Sequence, residues 1–465
     1  MTPRRTVAIA GAAGFIGRPL VDCLAAEWDV IALSRATRPG AAGITWRKAD
    51  LLSYRDAHAG LAGADCAVYL VHSMLSSDRL VQGSFEDLDL QAADNFARAA
   101  AAHGVRQIVY LGGLLPADTP AAQLSRHLRS RAEVERALGD YGTPLTALRA
   151  GIVIGRGGSS LEILRRMVRR LPVMICPRWT ATPTQPIALA DIVALLGWVL
   201  GRVETYGEVY DVGGPDVLTY RALMRTTAAA LGRSALTIPV PLLTPRLSRL
   251  WVTLVTGAPR ALVEPLIASL AHVMLARDRR LQTLAGIPGL PVAEALAVAL
   301  GEAAGAAEPR AFRASATRAE RPIVRSVQRL QAPSPDMRVV ADAYRRWLGK
   351  RFWPLVHTPG DIAFGWSARL GSPNGPTLLR FTPDATAGGA DRVVFSIDGG
   401  LLAASPHDGR FEFRRVLGGD AMLCSVHSFS PRLRWPLYLL TQAPLHLFVM
   451  HAFGRHLRRS AARQP

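Results

Sequence analysis

Residues 6–17 read TVAIAGAAGFIG, five mostly apolar residues running into glycines at every third position, Gly11, Gly14 and Gly17. A short apolar run bounded by glycine has the length and texture of a buried strand, and GRPLVDCLAAE after it has helical periodicity. A strand that turns on glycine into a helix leaves the first N–H groups of that helix facing the turn, where they hold an anion. The first glycine permits the tight turn, the second lets the backbone approach a pyrophosphate, and the third lets helix pack on sheet. The expectation is a dinucleotide site formed by Gly11, Gly14, Phe15, Ile16 and Gly17.

The alternation continues. DVIALS, AVYLV, RQIVYLG and LTALRAGIVIG are apolar runs of strand length, and DLDLQAADNFARAAAAHGV between the second and third of these reads as a helix. Strands alternating with amphipathic helices imply an α/β fold, a doubly wound parallel sheet of Rossmann type. Beyond Gly155 the strand signal thins, and QPIALADIVALLGWVL and PRALVEPLIASLAHVMLAR read as helices of a small substrate lobe. Residues 301–322, GEAAGAAEPRAFRASATRAERP, lack apolar periodicity and read as a linker. The texture then changes to a helix, ADAYRRWLGKRFWPL, strand runs TLLRFTP, DRVVFSIDGGLLAAS, GRFEFRRVL and AMLCSVHSF, and a final helical segment. The expected domains are 1–300, an NAD(P)-binding domain with its substrate lobe, and 323–465, an α+β domain.

The end of the second strand bears on the nucleotide. An acidic residue there would accept from the ribose hydroxyls of NAD, whereas IALSRAT presents Ser34 and Arg35, and an arginine suits a 2′-phosphate. NADP is the expected cofactor, with a surface arginine in an arginine-rich chain as the alternative. Asp50 and Leu51, after the third strand, stand where adenine would lie; Asp50 equally suits a helix cap before LLSYRDAHAGL.

Charge separates partner classes. The chain has 55 basic against 36 acidic residues, and from residue 322 onward the counts are 19 and 9. Such a field suits nucleic acid or an anionic membrane. The charges are scattered, however, nearly all are arginine, and no helix-turn-helix, zinc-finger or RNA-binding pattern occurs, so no nucleic-acid partner is expected. Cys23, Cys66, Cys176 and Cys424 are far apart, which points to a reducing, cytoplasmic setting without structural zinc, and the N-terminal run does not read as a signal peptide. Residues 435–454, WPLYLLTQAPLHLFVMHAFG, carry no formal charge for twenty residues. Two prolines and several polar residues make them a poor membrane span, and an amphipathic or buried helix accounts for them better, with peripheral membrane attachment left open.

In these motifs the chain resembles the short-chain dehydrogenase/reductase superfamily in its extended or atypical branch. More narrowly it resembles a bacterial two-domain family with an uncharacterised C-terminal domain, through YLVHSM (69–74), IVYLGGL (108–114), SRHLRSRAEVE (125–135), LRAGIVIG (148–155), QPIALADI (185–192), DGGLLA (398–403), EFRRV (412–416) and TQAPLHLFVMHAFGRHL (441–457). The resemblance implies catalysis by a serine and by a tyrosine and lysine four residues apart. Here the corresponding strand end is Leu111-Gly112-Gly113-Leu114, and the corresponding helix carries His127 and Arg131. No tyrosine of the first domain has a lysine four residues later.

His127 and Arg131 nevertheless share one helical face. An imidazole exchanges protons near neutrality and a guanidinium donates to ribose hydroxyls, so the pair fits either an altered acid or a nucleotide-binding face without chemistry. His72 and Ser73 lie where extended members line the nicotinamide pocket, or cap a strand end; Arg149 and Asp191 read as structural ion or cap partners. The C-terminal domain resembles the helix-grip fold, in which a cavity holds an apolar ligand. His446, His451 and His456, spaced by five, share no helix face and do not form a metal site. Two functions are expected: an NADP-dependent oxidoreductase for a small apolar carbonyl-type substrate, or a non-catalytic NADP-binding sensor or assembly factor.

Overall fold

The computed structural model describes residues 4–72, 80–116, 119–240, 252–270, 272–301, 323–331, 333–384, 389–404 and 408–461. Residues 302–322 of the expected linker, and Ser73, lie outside the described residues. In chain order the elements that matter are β1 (Thr6–Ala10), α1 (Gly17–Leu24), β2 (Asp29–Ser34), β3 (Ile44–Lys48), α2 (Tyr54–Leu61), β4 (Cys66–Tyr69), β5 (Leu80–Gln82), α3 (Phe85–Ala102), β6 (Ile108–Gly113), α4 (Arg126–Gly139), β7 (Leu145–Ala150), α5 (Ser159–Arg170), α6 (Leu189–Val199) and α7 (Tyr220–Ala230). The chain divides into two compact units, Met1–Leu75 with Ala92–Ala314, and Ser76–Gln91 with Ser315–Pro465.

The first unit is built on a seven-stranded sheet in the order β3, β2, β1, β4, β6, β7 and Val209–Val212. Every pairing is parallel. Val7, Ile9, Cys66, Val68 and Val109 are fully buried in its core, as expected of parallel strands covered on both faces. The chain order reverses between β1 and β4, which opens the crevice where ligands of such sheets bind. A second core in the same unit forms the lobe, where α5 and α7 pack with Arg260–Ser269 and Val292–Gly301.

One helix expected in the lobe lies elsewhere. Ile192, Leu195, Leu196 and Val199 of α6 belong to the core of the parallel sheet together with Leu20, Val21 and Leu24 of α1. The spacing of those four residues makes a single apolar stripe, and the sheet is what buries it.

The second unit starts with residues taken from within the first. β5 pairs in parallel with the strand Val324–Leu330, at one edge of a sheet that continues through Ala421–Phe429, Arg410–Val416, Arg392–Gly399, Thr377–Pro383 and Gly365–Leu370 in antiparallel pairings. The first turns of α3, up to Gln91, belong to this unit and the rest of the helix to the first unit. The division therefore differs from the expected contiguous domain 1–300. A three-residue strand within a long apolar-to-polar transition gives no readable alternation, which is why the insertion was silent in the sequence.

One face of the second sheet packs on Met337–Arg351 and the long helix Gln442–Ala461. The order of a helix, an antiparallel sheet and a long final helix is the one expected from the sequence; the strand Val324–Leu330 ahead of them is an addition to it. Its interior is filled by rings: Tyr344 lies 5.1 Å from Phe453, 5.3 Å from Phe411 and 5.5 Å from Phe413, and Trp366 stacks on Phe381 at 4.1 Å. The ligand cavity that the helix-grip likeness implied is occupied there by aromatic side chains.

The opposite face of the same strands buries charge. Glu412 accepts from Arg392 Nε at 2.7 Å and Arg414 Nε at 2.6 Å, and Gln91 meets His427 at 2.6 Å and Ser425 at 3.1 Å. Burial alone would raise the Glu412 pKa, but Arg414 and Arg392 more than offset it and hold the carboxyl well below its usual range.

Candidate functional site

The glycine turn has the geometry its sequence requires. Gly11 adopts φ +83°, and Gly14 N–H donates to Gly11 O at 2.8 Å. A Cβ at Gly17 would lie 2.2 Å from Gly11 O, so no side chain fits where α1 meets the turn. Ile16 precedes the helix as its N-cap without a side-chain cap; in the first turn of α1 Arg18 N–H donates to Gly14 O at 3.2 Å and Pro19 has no N–H, so the cradle is made by the backbone of the glycine turn more than by the helix itself. The cradle fits a pyrophosphate.

At the ends of β2 and β3, Ser34 Oγ accepts from Ala36 N–H at 3.2 Å, Arg35 is exposed, and Lys48 stands in register with Ser34. The Arg38 guanidinium lies 5.2 Å over the Trp46 ring. Arg35 and Lys48 thus both stand at these strand ends; of the two, only Arg35 is singled out in the sequence. Asp50 Oδ1 accepts from Leu52 N–H at 3.2 Å, a local turn that orders the chain before α2, whose N-cap is Ser53. Leu51 is buried, and its carbonyl accepts from Asn95 Nδ2 at 2.8 Å.

α4 is fixed at both ends. Ser125 caps it by accepting from Leu128 N–H at 3.2 Å and meets Ser269 Oγ at 2.9 Å, while Glu135 is held by the Arg149 guanidinium of β7 at 2.9 and 2.5 Å. That bidentate pair matches the structural role expected of Arg149. Asp191 likewise accepts from Leu290 N–H at 2.8 Å. The helix so placed brings His127 to His72, with ring centroids 5.4 Å apart. Arg131 is half-buried beside β6: its carbonyl accepts from Tyr110 O–H at 3.4 Å, and a Cβ at Gly113 would lie 3.8 Å from its Cγ. The absent strand-end serine is thus a glycine that faces the arginine helix.

His127 also lines a cavity of about 300 Å³. Phe15, Ile16, Gly113 and Leu114 form its wall on the sheet side, and Ile163, Leu164, Met167 and Met224 of α5 and α7 form its wall on the lobe side. Trp179 and Tyr220 complete it in edge-to-face contact at 6.3 Å. Burial pushes the Tyr220 hydroxyl up to about 12, so it stays protonated and cannot serve as a base near neutrality. Such a volume, apolar with few polar groups, lies at the lower end of small-molecule sites. The sequence reading missed the lobe wall. Its only trace was the spacing of Ile163, Leu164 and Met167 in SSLEILRRMV, which reads equally well as ordinary core. Among the described residues no group of three or more His, Cys, Asp or Glu is placed to hold a metal ion.

Residues 11–165 match the NAD(P)H-binding family. Over 142 residues the chain is 32% identical to auxiliary protein GraX of Staphylococcus aureus, a stretch covering 30% of this chain and 42% of that protein; the chain thus spans about two fifths of the length of this curated relative. Among solved structures, the NADPH-dependent quinone oxidoreductase QOR2 of Escherichia coli matches 62% of this chain and 98% of its own at 22% identity and a TM-score of 0.50. Triphenylmethane reductase of a Citrobacter species matches 63% and 99% at 17% identity and the same TM-score. The first unit therefore contains an NAD(P)H-binding domain and shares the fold of these reductases. No helix among the described residues is long and apolar enough to cross a membrane.

Proposed function

We propose that the protein is an NADP(H)-dependent oxidoreductase of the atypical short-chain type that acts on a small apolar carbonyl compound. One observation carries the reading: the apolar cavity begins at Phe15 and Ile16 of the glycine turn and has His127 in its wall. When bound, the dinucleotide supplies a hydride from its nicotinamide ring. The glycine turn and the start of α1 hold the pyrophosphate, and Arg35 at the end of β2 meets a 2′-phosphate. Arg131 donates to the nicotinamide ribose. The lobe wall excludes water and packs on the apolar body of the substrate. The His127 imidazole, which lines the cavity, passes a proton to the substrate oxygen.

The test is a titration with both nucleotides followed by turnover of quinones and enones. NADPH binds more tightly than NADH, and Arg35→Ala removes most of that difference, roughly 1–3 kcal/mol. Loss of the His127 imidazole lowers turnover by roughly 10²–10⁴ with nucleotide affinity nearly unchanged, whereas Arg131→Ala weakens NADPH binding. Equal affinity of the native chain for the two nucleotides overturns the cofactor assignment.

A second reading is a non-catalytic NADP-binding sensor or assembly factor. The relative described as an auxiliary protein favours it, together with the absence of the serine, tyrosine and lysine set. On that reading Arg131→Ala still weakens NADPH binding, but no substrate is turned over and His127→Ala is silent.

A further inference from the structure

The charge-free stretch 435–454 forms the helix Trp435–Leu440 and the greater part of the helix Gln442–Ala461, which pack on each other in the second unit. Their inward residues are Tyr438, Ala443, Met450, Phe453 and Leu457. Their outward residues are apolar as well. Leu437 is 53% exposed, Leu440 78%, Leu445 55% and Phe448 47%. Leu445 and Phe448 lie three apart on one face of the longer helix, and Leu437 and Leu440 three apart on the shorter. Four large apolar side chains, gathered within twelve residues and turned to solvent, form a patch of the kind that marks an interaction surface.

The charge around this patch selects the partner. Residues 421–465 contain six arginines and neither Asp nor Glu. Arg432 and Arg434, both exposed, precede the first helix, and Arg455, Arg458 and Arg459, also exposed, end the second. A protein partner with an ordinary mixed rim would leave several of these cations unmatched. An apolar interior behind a continuous layer of negative charge matches the pattern at both levels, and that is the chemistry of an anionic lipid leaflet. We propose that this helical pair docks on an anionic bilayer, with Leu437, Leu440, Leu445 and Phe448 entering the acyl boundary and the flanking arginines meeting headgroup phosphates. The helices lie on the membrane and do not span it. Nothing in the proposal depends on turnover or on the choice of nucleotide.

The full chain is sedimented with vesicles of phosphatidylcholine alone and of phosphatidylcholine and phosphatidylglycerol in equal parts. Partitioning is expected to be at least about tenfold stronger on the anionic vesicles and to weaken as salt is raised. L440S/L445S is expected to lower it by about tenfold or more, with an unchanged melting profile because both side chains are exposed. Should that variant not fold, R458Q/R459Q carries the same expectation of weaker binding. Absence of binding to anionic vesicles overturns the proposal, as does equal binding to both lipids or undiminished binding of the variant that folds. A concentration-dependent dimer that L440S/L445S dissolves also overturns it, because the patch is then covered by a second copy of the chain.

Discussion

The two units solve the problem of filling an interior in opposite ways. In the first, aliphatic strands support a sheet whose lobe stands back from it and leaves a cavity of about 300 Å³ walled by Ile163, Leu164, Met167 and Met224. In the second, rings occupy the space between sheet and helix, and the far side of the same strands encloses Glu412, Arg392 and Arg414. A hollow interior tolerates changes of shape and holds ligands; a filled one with buried charge tolerates neither. The contrast is in keeping with the small-molecule chemistry proposed for the first unit, which holds the NAD(P)H-binding domain.

The sharpest way to break this contrast is to remove Glu412. Arg392 and Arg414 would remain buried after losing the Glu412 carboxylate that accepts from both, so Glu412→Ala is expected to cost about 3–5 kcal/mol in chemical denaturation of the second unit. Phe453→Ala, which empties part of the ring cluster, is expected to cost a similar 3–5 kcal/mol or so. A cost near zero for either would show that the second interior is less tightly committed than its packing indicates.

Overpacking gives the next largest difference. Leu164→Phe projects into the cavity and is expected to cost less than about 1 kcal/mol while abolishing substrate turnover, whereas Ala341→Leu in the second core costs roughly 1–3 kcal/mol. Equal costs measured by thermal melting would erase the distinction between hollow and filled.

Acid sharpens the comparison further. The folded pKa of Glu412 lies below its unfolded value, so its contribution is fully present above about pH 4.3 and declines as pH falls toward the folded value. Denaturation midpoints of the native chain and of Glu412→Gln are therefore expected to be well separated at pH 6 and to converge only in strong acid. The smallest effect belongs to the surface: Arg280→Ala breaks an exposed pair with Glu208 and is expected to shift stability by no more than about 0.5 kcal/mol.

These differences also mark what the sequence disclosed. The strand, glycine turn and helix at residues 6–24 were legible because each glycine answers a local steric demand, which short-range pattern records. The helix with His127 and Arg131 was legible through the family resemblance, which put both residues on one face; its Ser125 cap was not read. The lobe wall was not, because a cavity depends on how far apart two elements stand, and an aliphatic residue facing a void looks like one facing a core. Nor were the buried arginines. Arg392 and Arg414 read as two more solvated charges in a basic chain, and only the sheet register places them beside Glu412. The helix α6 was recognised as a helix but assigned to the wrong layer, since a stripe of Ile192, Leu195, Leu196 and Val199 says that it is buried without saying by what.

The pairing of β5 with the strand Val324–Leu330 sets a schedule for synthesis. About 240 residues separate the two strands, so a chain emerging from the ribosome exposes β5 and the first turns of α3 long before their partners exist. At ordinary elongation speeds that interval is on the order of 10–50 s, far longer than helices and hairpins need to form. The parallel sheet can assemble while the loop that will nucleate the second sheet's edge waits, with Asp87 and Gln91 still lacking Arg329 and His427. The second unit is thus completed only after translation has passed its last strand, and a fragment beginning at residue 323 would lack the edge on which that sheet closes.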